Sequence, residues 1–217
     1  MCSRRGAEQG RAVSDTRQRR SVILTIDAEH PDRRGHMPGT CQSMLATLGS
    51  LSIRATFFLQ GRWVTAFPEL AREIVGGGHL IGNHSHYHTD MLLLSGGGQE
   101  ADILASQRTI ESVVGVDPRP WFRSPFGAGL DDPALNALLA RHGYRNIGWD
   151  VHGRDWAEDQ TAAGVEEEIV SGCLAGSGPK VVLLHSWPVV AAEALPAILS
   201  RLLSAGVEFA TPADLES

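Results

Sequence analysis

The stretch Ser21-Val22-Ile23-Leu24-Thr25-Ile26-Asp27-Ala28-Glu29 decides the architecture. Its first six residues form a short apolar, β-branched run without a charge, the pattern of a buried strand. Two carboxylates stand where that run ends, so the chain delivers acidic groups to the rim as it leaves the core. Residues two apart in extended chain lie on the same side, which puts Asp27 and Glu29 together and turns Ala28 away.

Outward from this strand the same alternation continues. Residues 39–51 repeat apolar side chains at helical spacing, residues 55–59 read as a second strand, and Pro68 starts a helix that stops at Gly76-Gly77-Gly78. A third strand at 79–82 leads to Asn83 and His84. Residues 99–114 are predicted helical, 119–122 a strand edge, and 132–142 a helix with Asp131 or Asp132 as N-cap and Gly143 just past its end. Strands at 144–149, 181–184 and 206–210 and helices at 162–175 and 190–204 complete the chain. About seven βα units without a linker-like gap predict one α/β domain over residues 21–217. Its parallel sheet is either closed or nearly closed as a barrel, or open and doubly wound. In both, chemistry belongs at the carboxyl ends of the strands.

Composition narrows the function classes. The net charge is −6, yet residues 1–20 carry six Arg against Glu8 and Asp15, a net of +4 that leaves −10 for residues 21–217. An acidic body argues against nucleic acid as partner, since phosphate binding needs clustered cations. The basic opening segment is expected to be a disordered, solvated tail. No apolar run reaches the roughly 18–20 residues that span a bilayer, and the opening segment lacks the apolar core of a secretory signal. The expectation is a cytoplasmic protein without a membrane span. Cys2, Cys41 and Cys173 lack metal-type spacing and read as reduced packing residues.

The polar residues fall where the strands end. Asp27 and Glu29 close the first strand, and His84, His86 and His88 follow the third. Arg123 follows the fourth, Asp150, His152 and Asp155 the fifth, and His185 the sixth. His84 and His88 stand four apart, so on a helical turn their rings share a face, with His86 pointing elsewhere. Two imidazoles plus a carboxylate make the usual protein ligand set of a catalytic zinc ion. We therefore assign Glu29, His84 and His88 as metal ligands and Asp27 as the base for a metal-bound water. His185 suits a general acid that protonates a leaving nitrogen, with Asp155 holding its charged form. Arg123 offers a forked donor set to orient Asp27. Pro125, Phe126, Trp149, Trp156 and Trp187 are the expected walls of a sugar-sized cleft.

Together these motifs resemble the polysaccharide deacetylases of carbohydrate esterase family 4, the nodulation-type deacetylase domain. The segments that carry the resemblance are Thr25-Ile-Asp-Ala-Glu29, His84-Ser-His-Tyr-His88, Arg123-Ser-Pro-Phe-Gly127, His152-Gly-Arg-Asp-Trp156 and Leu183-Leu-His185. The resemblance implies a distorted, incompletely closed (β/α)7 barrel. It also implies a divalent metal, usually zinc with cobalt, nickel or manganese as alternatives, and removal of an acyl group from an amino sugar. Carried over, Asp27 matches the base, His84 and His88 the ligands, Arg123 the residue orienting the base, Asp155 the partner of the acid and His185 the acid. Ala28 departs from the commonest pattern, which has a second aspartate as ligand there; Glu29 matches relatives whose acidic residue lies two beyond the base. His152 and Ser186 stand where aspartates are common. A small molecule or oligosaccharide bearing an N-acyl amino sugar is the expected substrate. The competing readings are a metal-free, allantoinase-like amidohydrolase and a non-catalytic carbohydrate-binding protein on the same fold.

Overall fold

In the computed structural model, residues 20–32 and 38–215 are described, and the basic opening segment, Arg20 apart, lies outside them. The first strand, β1 (Ser21–Ala28), sits at the middle of an eight-stranded sheet. β2 (Thr56–Leu59), β3 (Leu80–Asn83), β4 (Trp121–Phe122) and β5 (Arg145–Asn146) extend from it in one direction. β7 (Lys180–His185) and β6 (Val151–His152) extend in the other, and β8 (Glu208–Ala210) pairs with β1. Every pairing is parallel. β7 runs along β1 over residues 22–27, so β2 and β8 divide the other edge of β1, at residues 25–28 and 21–23 respectively.

The alternation in β1 separates two environments. Val22, Leu24, Ile26 and Ala28 join the main apolar core, together with Met44 and Leu48 of α1 (Pro38–Ser50), Ile74 of α3 (Pro68–Gly76), Ile169 of α6 (Ala162–Leu174) and Leu195 and Ile198 of α7 (Val189–Ser204). Thr25 and Asp27 face the other way, into the curl of the sheet. Burying an Ile or Leu side chain is worth about 1.5–3 kcal/mol. A one-residue slip of β1 would put Asp27 under the helices in place of Ile26, so the register is fixed. A second apolar cluster, with Met91, Phe122 and Tyr144, packs beneath α4 (Gly96–Val114) and α5 (Pro133–Arg141).

The architecture is the expected incompletely closed (β/α)7-like barrel, with two differences in detail. The strand expected over 144–149 stops at Asn146, and a separate strand, β6, follows at 151–152. The segment between them crosses the gap in the barrel: Ile147 N–H donates to the Phe122 carbonyl of β4 and Asp150 N–H to the Val181 carbonyl of β7. Arg123 plugs this gap, its Nε donating to the Ile147 carbonyl and its Nη2 to that of Gly148. The second difference is the short helix α2 (Gly61–Ala66), whose six residues are too few for a periodic signal. Asp132 is the N-cap of α5, accepting from Leu135 N–H at 2.7 Å, and Gly143 takes the left-handed conformation expected past the helix end (φ 77°). Among the described residues no helix is long and apolar enough to cross a membrane.

Candidate metal centre and cleft

The strand ends converge as the alternation requires. Asp27 and Glu29 are 2% and 4% exposed and both face the barrel mouth. His84 Nε2 lies 3.1 Å from Glu29 Oε2, and His88 Nε2 lies 2.5 Å from the same oxygen. One ligand atom from each of Glu29, His84 and His88 falls within 4.8 Å of the other two. His84 Nδ1 is 2.9 Å from the Arg123 carbonyl. A carbonyl only accepts, so Nδ1 carries a proton, and Nε2 is left as the ring nitrogen that faces Glu29 and is placed to ligate a metal. Two imidazole nitrogens and a buried carboxylate oxygen aimed at one point form a donor set that a divalent cation satisfies. The chemistry of these three residues therefore fits the expected metal.

The route by which His84 and His88 meet differs from the expected helical turn. Residues 84–90 form a loop, with Ser85 and His88 both in the left-handed region (φ 61° and 58°). Side-chain hydrogen bonds hold that conformation: Ser85 N–H donates to Asn83 Oδ1 at 2.9 Å, His88 N–H to Ser85 Oγ at 3.0 Å, and Tyr87 N–H to Asp102 Oδ1 of α4 at 3.1 Å. The spacing of four was right for the wrong geometry. Sequence reasoning passed over Asn83, Ser85 and Asp102, although Asn and Ser beside a strand end are turn-forming residues. His86 lies outside the centre and packs against α2, so closely that a Cβ on Gly61 would collide with its Nδ1.

Arg123 is fully buried, and its Nη1 donates to Asp27 Oδ1 at 2.7 Å and to Thr25 Oγ1 at 2.8 Å. Its guanidinium also stacks over the Phe58 ring, 4.2 Å from the centroid. Across the mouth, His185 Nδ1 pairs with Asp155 Oδ1 at 2.9 Å while the other Asp155 oxygen accepts from His185 N–H at 2.7 Å. Asp155 reaches β7 because β6 lies beside it, which a single fifth strand would not have arranged. Asp150 is structural, its carboxylate accepting from Val181 N–H.

Electrostatics follow from this packing. Burial works to raise the Glu29 carboxyl, but hydrogen bonds from His30, His84 and His88 and the charge of His185 outweigh it and hold the group well below the carboxylate range. Burial works to lower the His185 imidazole, yet the charge and hydrogen bond of Asp155, with Glu29 and Asp27 farther off, raise it to about 9. For His88 burial prevails and lowers the imidazole, favouring the neutral form that ligates metal.

These groups open into a cleft of about 430 Å³, lined by Ser124, Phe126, Trp149, Trp156, Leu183 and Trp187 as well as the charged residues and His30. Phe126 protrudes, 67% exposed, with its ring edge-on to His88 at 4.5 Å. Its backbone is left-handed (φ 57°), a turn that swings Phe126 outward while Pro125 is buried. Pro125 therefore does not line the cleft, contrary to expectation, and Ser124 does. His30 and Leu183 were also missed. His30 follows Glu29 directly, so its position beside a ligand was the available signal; Leu183 read as plain core.

Comparison with known proteins agrees with this geometry. A family profile described as polysaccharide deacetylase matches residues 14–147. The chain is 33% identical over 176 residues to a chitooligosaccharide deacetylase of Bradyrhizobium sp., covering 81% of this chain and 74% of that one. A family 4 carbohydrate esterase from Streptomyces lividans, solved with acetate, superposes with a TM-score of 0.76 at 29% identity, covering 88% of this chain and 92% of that one. A mutant of the Bacillus anthracis CE4 pseudoenzyme BA3943 with restored enzymatic activity superposes with a TM-score of 0.81 at 26% identity, covering 92% and 68% respectively.

Proposed function

The chain belongs to the polysaccharide deacetylase family, and from that premise we propose that it is a metal-dependent deacetylase removing the N-acetyl group of an amino sugar in a soluble oligosaccharide or smaller acceptor. The observation that carries this reading is the convergence of Glu29, His84 and His88 on one point, with ligand atoms within 4.8 Å of one another. It favours the metal enzyme over a metal-free amidohydrolase. Glu29, His84 and His88 would hold a divalent ion, which would supply Lewis acidity toward an acyl oxygen and make a water more acidic.

The remaining roles belong to the chain itself. Asp27, whose Oδ2 is 3.6 Å from His84 Nε2, accepts the proton of the attacking water. Arg123 keeps Asp27 oriented through the Nη1 contact and occupies its other oxygen. As the water oxygen bonds to the acyl carbon and the carbon–nitrogen bond breaks, His185 donates a proton to the departing nitrogen. Acetate and a free amine result. Asp155 holds the charged imidazole for that transfer. Phe126, Trp149, Trp156 and Trp187 offer apolar faces to a sugar ring. The site draws on strand ends from β1 to β7, which supports one catalytic domain over residues 21–217.

A cleft of about 430 Å³ suits a ligand of small-molecule size. Cys41 and Cys173 are free and buried, as fits the reducing cytoplasm. Acetate release from N-acetylated chitooligosaccharides, with polymeric chitin as the competing substrate, tests the reading. Turnover of the soluble substrate that is lost on chelation and restored by zinc is expected. Full activity after metal removal, or a marked preference for polymer, would overturn it.

A further inference from the structure

The two oxygens of Glu29 are held by different groups. Oε2 faces the imidazole nitrogens of His84 and His88. Oε1 lies 3.2 Å from His30 Nε2 and accepts from Trp187 Nε1–H, also at 3.2 Å. His30 is not a further ligand in this arrangement, because the group whose ligand atoms all fall within 4.8 Å comprises Glu29, His84 and His88. The His30 backbone is left-handed (φ 53°), and its N–H donates to the Oε1 of buried Gln60 at 2.9 Å. Gln60 N–H in turn donates to the Ala28 carbonyl at 3.0 Å. The His30 ring is edge-on to His88 at 4.5 Å and to Trp187 at 6.3 Å, so it is wedged between a ligand and the second donor.

A glutamate that has left the strand carries more rotatable bonds than an aspartate fixed within it, and an unrestrained side chain loses more freedom when it binds an ion. We propose that His30 and Trp187 are positioning residues that clamp Glu29 Oε1 so that Oε2 is presented to the metal. They supply to Glu29, one residue past the end of β1, the rigidity that a side chain within a strand has from its own backbone. Gln60 sets the turn that brings His30 into place. Groups that orient a metal ligand without touching the ion set its affinity through the entropy and direction of that ligand. The inference rests on the metal reading above.

The test is zinc affinity of the full chain, measured by competition with a chromophoric chelator and without any acyl substrate. His30→Ala and Trp187→Phe are each expected to weaken zinc binding by about 10–100-fold. The metal-free protein is expected to melt only slightly lower, because Glu29 keeps its contacts with His84 and His88. His30→Gln, which keeps a side-chain N–H donor, is expected to recover part of the loss. Wild-type affinity in both His30→Ala and Trp187→Phe would overturn the clamp while leaving the metal centre standing. So would losses that merely track a lower metal-free melting temperature. A wild-type chain that takes no zinc would overturn the metal reading and the clamp together.

Discussion

The Arg123 guanidinium meets the Asp27 carboxylate at 2.7 Å inside the barrel, with both side chains sealed from solvent. The same guanidinium donates to the Ile147 and Gly148 carbonyls, so one side chain orients a strand-end carboxylate and closes the gap in the sheet. Removing it by Arg123→Met leaves Asp27 buried without its counter-charge. The expected loss is about 3–5 kcal/mol of stability, checked by the denaturant midpoint. Arg123→Lys keeps the charge but not the fork, and is expected to retain more stability than activity.

Asp27→Asn removes the proposed base while keeping shape and the Arg123 contact. The turnover number is expected to fall by about 10²–10⁴-fold. Zinc affinity should change far less, because the ligands are Glu29, His84 and His88. Measuring kcat beside zinc binding separates the two roles. Unchanged turnover in Asp27→Ala would overturn Asp27 as the base.

The Asp155–His185 pair predicts an alkaline limit. Asp155 and the other carboxylates outweigh burial and lift the imidazole to about 9 from an ordinary 6.5. The proton-donating form is thus populated below that value and lost above it, so kcat should decline through about pH 9. Asp155→Asn is expected to move the limb toward acid by about 1–3 units. The stability contribution has the same sign. It is fully present below pH 6.5 and is lost as pH rises through about 9, which thermal melts across that window would show.

Zinc should stabilise the fold against the metal-free chain. Binding to the native state alone adds about 2.7 kcal/mol at a hundredfold excess over Kd. Glu29→Gln is expected to abolish most of this, since it removes the negative ligand. Differential scanning calorimetry with and without zinc reads the difference.

Gly61→Ala tests the loop that carries the histidines. The added Cβ would collide with His86 Nδ1 and lie 3.0 Å from the Ser106 Cα, so the His86 ring must move. Overpacking of this kind costs about 1–3 kcal/mol, and the displaced loop is expected to weaken zinc binding as well. Chemical denaturation and chelator competition check the two effects.

Much of the site was legible because strand ends are local events. A β-branched run that stops at a charge announces its own rim, which brought Asp27, Glu29, Arg123 and His185 forward together. The pairing of Asp155 with His185 was legible as a role, but its route was not. It depends on the chain crossing from β5 to β6, and that crossing is fixed by Arg123, far away in sequence. The outward turn of Phe126 and burial of Pro125 were hidden for the same reason, since a single left-handed residue decides them.

For the triple-histidine loop, sequence determined the spacing and hence the two side chains that meet. It did not determine the conformation, because Ser85 and His88 adopt positive φ only with Asn83, Ser85 and Asp102 satisfying the freed backbone donors. Likewise the two-residue period of β1 is enough by itself to put Asp27 and Glu29 on one side. Whether a glutamate there is aimed at His84 and His88 was decided by His30 and Trp187, which meet its far oxygen from two separate strand ends. Periodicity is a property of neighbouring residues and can be read along the chain. The direction of a long side chain depends on donors that only the folded sheet brings together.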